Sequence, residues 1–105
     1  MGEFSCMYSV GQLVEHKLFD YRGVIVDVDP VYQGTEEWYE FVARSRPPKD
    51  RPWYHVLVHG ADHLTYVAER NLRLDTSGKP IDHPWLSEYF VGLRDGAYVL
   101  RHRAN

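Results

Sequence analysis

The stretch Trp53-Tyr54-His55-Val56-Leu57-Val58-His59-Gly60-Ala61-Asp62-His63, WYHVLVHGADH, spaces three of the chain's six histidines four residues apart. On a helix that spacing would set all three on one side, where they could hold a metal ion. The residues between His55 and His59 are Val, Leu and Val, which favour a strand. On a strand, residues four apart are separated by about 13 Å at roughly 3.3 Å per residue. Two nitrogens that each sit about 2.1 Å from one zinc ion cannot be that far apart. His55 and His59 therefore cannot share a metal, and His63 lies past the turn at Gly60-Ala61-Asp62. A site that joins His55 or His59 to a neighbouring strand stays open on spacing alone, but no other motif points to a metal or cofactor.

Read as a strand, the stretch organises its surroundings. Val10 to Pro30, VGQLVEHKLFDYRGVIVDVDP, alternates with period two: Val24, Val26 and Val28 fall on one face, Ile25, Asp27 and Asp29 on the other. Gln12 to Leu18 reads as a shorter strand before it, joined by a turn over residues 19–23, and Pro30, which cannot donate to a ladder, ends the longer run. Leu64 to Glu69 follows the turn after His59, and Asn71 to Leu74 adds a short strand. Two short helices interrupt the pattern. The first runs over Gly34 to Ala43, with Thr35 as its cap, Glu36 and Glu37 in the first turn, and Trp38, Phe41 and Val42 as its apolar side. The second begins near Pro84 and pairs Trp85 with Tyr89 and Leu86 with Phe90. Between them, residues 44–52 hold three prolines and predict an extended, exposed connection. Ala97 to Leu100 reads as a last strand or an arm, followed by a fraying Arg101-His102-Arg103.

Short strands, tight turns and little helix predict a mostly β fold, an SH3-like barrel of about five strands with one or two short peripheral helices. The predicted organisation is a flexible segment over 1–9, the barrel over 10–75, and an extension over 76–105 that packs on it. The period-two faces place Val24, Val26, Val28, Val56 and Val58 inside, leaving Trp53, His55, Leu57 and His59 outside.

Composition narrows the chemistry. The chain has 105 residues, 44% hydrophobic and 14% aromatic, with one cysteine and a net charge of −3. That suits one folded domain and rules out a disulfide or a thiolate zinc cluster within the chain. No apolar run reaches the length of a membrane helix, and the N-terminus lacks a secretion signal, so a cytoplasmic location is expected. Residues 1–45 carry three basic against eight acidic side chains, net −5, and residues 46–105 nine against seven, net +2. A local basic patch is possible; a broad one is not. Asp27 and Asp29 are two apart on one face, as an acid/base pair or a magnesium site would need, but a solvated outer face next to a turn explains them better. Cys6 and the serines sit in no nucleophile setting, and Gly11 and Gly23 form no phosphate loop, so no enzyme is predicted.

Two blocks, Val10 to Tyr32 and Pro52 to Leu72, resemble the HspQ family of bacterial heat-shock proteins, also called YccV-like or hemimethylated DNA-binding domains. His16-Lys17, Arg22-Gly23-Val24, Asp27-x-Asp29-Pro30, Pro52-x-Tyr54 and Tyr66-Val67-Ala68-Glu69-x-Asn71-Leu72 occur in the family's order. The resemblance implies an SH3-like barrel without catalysis, active in stress response. It also implies two roles: binding hemimethylated DNA with an effect on levels of the replication initiator, or tuning an ATP-dependent protease such as Lon or Clp as an adaptor. For DNA, the candidate contacts are Arg44, Arg46, Lys49 and Arg51 as cations beside the aromatics Trp53 and Tyr54. For a protein partner, the candidate surface is Trp53, His55, Leu57, His59, Trp85 and Phe90. The two helices, a second copy of the chain or a docked partner would each cover it.

Overall fold

The longest strand, β2 (Arg22–Asp29), shows why this chain builds a curved sheet. It pairs on one side with β1 (Leu13–His16) and on the other with β3 (Trp53–Val58), both antiparallel. The β2–β3 register runs Val24 to Leu57 and Ile25 to Val56, then resumes at Asp27 to His55, so Val26 is an extra residue in β2. Such a bulge bends the strand and shifts its alternation. A computed structural model describes residues 6–101 of the chain, and within them the sheet order is β4-β3-β2-β1-β5. Here β4 is Leu64–Ala68 and β5 is Leu72–Leu74, linked by a 3-10 turn over Glu69–Asn71. The two end strands are thus consecutive in sequence, and the sheet coils into the small SH3-like barrel the sequence predicts. Met1 to Ser5 and His102 to Asn105, which include part of the predicted flexible start and fraying end, lie outside the described residues.

The barrel interior is Val14, Ile25, Tyr54, Val56, Val67 and Leu72. This corrects the predicted inner face. Residues paired across strands share a face, so Ile25 accompanies Val56 inside, while Val24 accompanies Leu57 outside. Val26 joins that outer set, and only past the bulge does Val28 turn to the interior cluster. Val58 is buried near the end of β3. The error has a physical cause: β2 and β3 are apolar on both faces, so alternation alone does not say which face is inside.

Both ends of the outer face are covered. Leu13, Val24, Val26 and Leu57 pack under Ile81, Phe90 and Tyr98 of the C-terminal extension. That extension holds a single turn of helix, α2 (Leu86–Tyr89), and a hairpin of β6 (Phe90–Arg94) and β7 (Ala97–Leu100). The predicted helix through Phe90 is therefore shorter than expected, and Phe90 opens a strand instead. Asp95 and Gly96 both have positive φ, 54° and 83°, the conformation a two-residue hairpin turn requires. Gly11 couples hairpin to barrel: its N–H donates to Ile25 O at 2.8 Å and its carbonyl accepts from Tyr98 N at 2.7 Å.

At the other end α1 (Glu36–Val42) covers Trp53. Thr35 caps it, accepting from Trp38 N at 3.1 Å, as predicted. Its buried side differs from the expected one: Tyr39 and Ala43 face the barrel, whereas Phe41 and Val42 are 76% and 54% exposed.

Candidate functional site

The connection after α1 is shaped by its prolines. Pro47 and Pro52 are buried and the cations between them point outward, so the segment is packed rather than loose. Tyr39 OH donates to Pro47 O at 2.7 Å and Trp53 Nε1 to Pro48 O at 3.1 Å. Arg46 pairs with Glu40 at 2.9 Å and Lys49 with Glu36 at 2.6 Å, both pairs open to solvent, and Arg51 lies 3.9 Å from Asp50. The hydrogen bond to Glu36 raises the Lys49 pKa. Exposed pairs of this kind contribute little to stability, so the cations can exchange a carboxylate for a phosphate at small cost. Arg44 forms no ion pair among the described residues. One further cation stands beside the connection: the Arg70 guanidinium donates to Ser45 O, while Asn71 reaches Ser45 Oγ. Sequence reasoning missed Arg70 because only the folded chain brings it to the connection.

Trp53 and Tyr54 are not available beside these cations. They are 1% and 0% exposed. Trp53 is held by Tyr32, Trp38, Tyr39 and Tyr66, and the Tyr54 hydroxyl donates to Glu69 Oε2 at 2.5 Å and accepts from Tyr8 N at 3.2 Å. Burial, then the Glu69 carboxylate, push the Tyr54 phenol well up. The expectation that these two rings meet a base or sugar is thus corrected: they build the barrel.

The expected protein-facing stripe is also redistributed. Leu57 and Phe90 are core residues, together with Trp53. His55 sits half-buried between the two covered ends. Its ring packs at a tilt against Tyr66, with centroids 4.6 Å apart, and reaches Asp29 Oδ2 at 3.2 Å, and the Tyr66 hydroxyl donates to the same oxygen at 2.6 Å. Burial and then the Asp29 bond push the Tyr66 phenol up. His59 Nδ1 accepts from Asp82 N at 2.8 Å, and Trp85, 40% exposed, packs on His83. The sheet brings ligand atoms of Asp27, Asp29 and His55 within 4.8 Å of one another. Asp27 Oδ1 already accepts from Val28 N and Asp29 Oδ2 from Tyr66, so hydrogen bonding within the fold accounts for the cluster. His55 and His59 remain apart.

A groove of about 800 Å³ runs along β4. One wall is α1, presenting Phe41 and Val42. The other is the turn after β1, presenting Leu18 and Phe19, 56% and 72% exposed. That turn is fixed by His16, whose Nδ1 accepts from Leu18 N at 3.1 Å and Phe19 N at 3.2 Å and whose ring stacks on Phe19 at 4.7 Å. Burial lowers the His16 pKa, keeping the acceptor nitrogen free. Of the side chains lining the groove, Arg44 alone carries a full charge. Nothing in the sequence marked Leu18, Phe19 or Leu64 as its members, because they lie on three separate segments.

Compared with known families, the chain matches the YccV-like model, described as hemimethylated DNA-binding protein YccV like, over residues 6–97. Most of the chain lies within that span, and it includes both blocks on which the resemblance was recognised. The chain belongs to the YccV-like family.

Proposed function

From membership of the YccV-like family we propose that the chain is a non-enzymatic regulatory protein that binds duplex DNA, with hemimethylated DNA as its target and the level of the replication initiator as its output. The observation that carries this reading is the outward set Arg44, Arg46, Lys49 and Arg51 on a proline-packed connection, with Arg70 beside it. A rigid backbone presenting cations suits phosphate contact, which sets register without reading sequence. With about four phosphates engaged, log K should fall against log salt with a slope of roughly −3 to −4. Fluorescence anisotropy with hemimethylated, fully methylated and unmethylated duplexes tests it. The hemimethylated duplex should bind most tightly, and Arg46→Ala with Arg51→Ala should reduce the slope by about 2. Equal, salt-independent binding to all three duplexes would sink the reading.

A second reading, a specificity factor for an ATP-dependent protease such as Lon, is favoured by the uncovered apolar groove beside β4. Addition of the protein to a Lon degradation assay tests it, and unchanged rates across several substrates count against it.

A further inference from the structure

The groove follows the outer edge of β4. It touches all five residues of the strand, Leu64 to Ala68, although successive side chains point to opposite faces. Only an opening that runs along the edge can do so. The hydrogen-bond phase of the ladder says which backbone groups look into it. Val58 N bonds His63 O, and Glu69 N bonds Pro52 O, so the odd-numbered residues from His63 to Glu69 bond toward β3. The N–H and C=O groups of Leu64, Tyr66 and Ala68 point away from β3, and among the described residues no backbone or side-chain hydrogen bond reaches them on that side.

A strand edge with exposed amides is a template for another strand. Here it has walls. A strand added to β4 would direct alternate side chains toward Phe41 and Val42 on one side and toward Leu18 and Phe19 on the other. Both walls are apolar, so the occupant must be apolar on both faces, a continuous run rather than an alternating one. A five-residue strand spans roughly 16 Å, which sets the length of that run at about three to five residues. At the end where β4 meets the 3-10 turn stands Arg44, the groove's one charged lining residue, with no carboxylate lining the groove to neutralise it. We propose that the outer edge of β4 is a strand-addition site for an extended apolar segment of a partner protein, with an acidic residue of that segment paired to Arg44. This goes beyond the DNA reading; it shares with the protease reading only the premise of a protein partner. A failed degradation assay would leave it standing.

The test uses the full chain and a fluorescein-labelled synthetic peptide of nine residues: four consecutive Val and Leu residues, a glutamate directly after them, and polar flanks. The peptide should bind by anisotropy, and proline in the middle of the run should abolish binding because it removes a ladder donor. Phe41→Ser and Leu18→Ser should each weaken binding about fivefold or more, at unchanged circular dichroism and Tm since both side chains are exposed. Arg44→Glu should weaken it by about tenfold and recover when the peptide's glutamate becomes lysine. In hydrogen exchange the Leu64 and Tyr66 amides should slow on binding, while those of Thr65 and Val67, already bonded to β3, stay as they were. Binding that tolerates proline, or that leaves the Tyr66 amide unprotected, overturns the proposal. Protection that rises with the chain's own concentration and no peptide overturns it in favour of pairing between copies. Protection by a hemimethylated duplex and not by peptide overturns it in favour of DNA.

Discussion

Replacement of Leu57 by alanine separates a covered outer face from one that waits for a partner. Leu57 is 0% exposed and packs among Leu13, Val24, Ile81, Phe90 and Tyr98. Truncation removes three buried carbon groups at about 0.8 kcal/mol each, roughly 2.4 kcal/mol. The remaining cavity adds to this, because a sheet on one side and a hairpin on the other cannot close over it, and the total should reach about 3 to 4 kcal/mol. With an unfolding entropy of about 2.1 cal/mol/K per residue, a 105-residue chain should lose roughly 14 to 18 °C in Tm. Urea denaturation at pH 7, followed by circular dichroism, gives the free energy directly, and the m-value should stay constant. Phe41→Ala is the control: at 76% exposure its cost should stay within about 0.5 kcal/mol. If Leu57→Ala also costs less than about 0.5 kcal/mol, the C-terminal extension does not cover this face and the packing described above is wrong.

Tyr66→Phe removes a donor to Asp29 and an acceptor for Gln33 N, so it should cost about 1 to 2 kcal/mol by urea denaturation, and a loss below about 0.3 would refute a structural role for the hydroxyl. Gly11→Ala should cost at least about 2 kcal/mol, since φ is 97° and a Cβ would collide with the Tyr98 carbonyl. Gly96→Ala, with φ at 83° but open space around it, should cost only about 1 kcal/mol; equal losses would refute the collision. His16 has a folded pKa below its ordinary 6.5 because it is buried, so the unfolded chain takes up the proton first. Its contribution should be complete above pH 6.5 and decline as pH falls from there through the folded pKa, by at most about 1.4 kcal/mol per unit. The stability difference between wild type and His16→Asn should shrink over that window, and a constant difference from pH 7 to pH 5 would refute it.

The elements that local chemistry punctuates were legible. Pro30 ends β2, Thr35 caps α1, and Gly60 lies in the turn between β3 and β4, all as read from the sequence. What failed needed a third dimension. Period two identified β2 and β3 but not their inside, because Ile25 and Leu57 are as apolar as the valines and a bulge at Val26 resets the pattern. The i,i+4 pair Leu86 and Phe90 suggested a helix, while Asp95-Gly96 between FVGLR and AYVL was a hairpin signal that went unread. In the connection, the four cations are legible as charges, whereas the neighbouring Arg70 is not, because only the fold brings it to Ser45. The linker aromatics were assigned to a ligand because the sequence does not show that α1 folds back over Trp53.

That fold-back bears on both proposed surfaces. Trp53 would be the largest exposed aromatic of an uncovered barrel; with α1 over it that end of the outer face is satisfied internally, and the apolar side chains α1 itself leaves open are Phe41 and Val42 at the groove. The same segment turns its cations outward while Glu36 and Glu40 hold Lys49 and Arg46 in exposed pairs. The balance of charge there explains why a net −3 is compatible with a local phosphate contact: the acids are close enough to pair and exposed enough to release. The two proposed surfaces then answer differently to salt. Phosphate contact rests on counterion release and weakens steeply, whereas strand addition rests on backbone hydrogen bonds and apolar burial, with Arg44 its single charge. Because Arg44 lines the groove and also belongs to the cation row, occupants of the two surfaces meet at that residue, and any coupling between them is reciprocal.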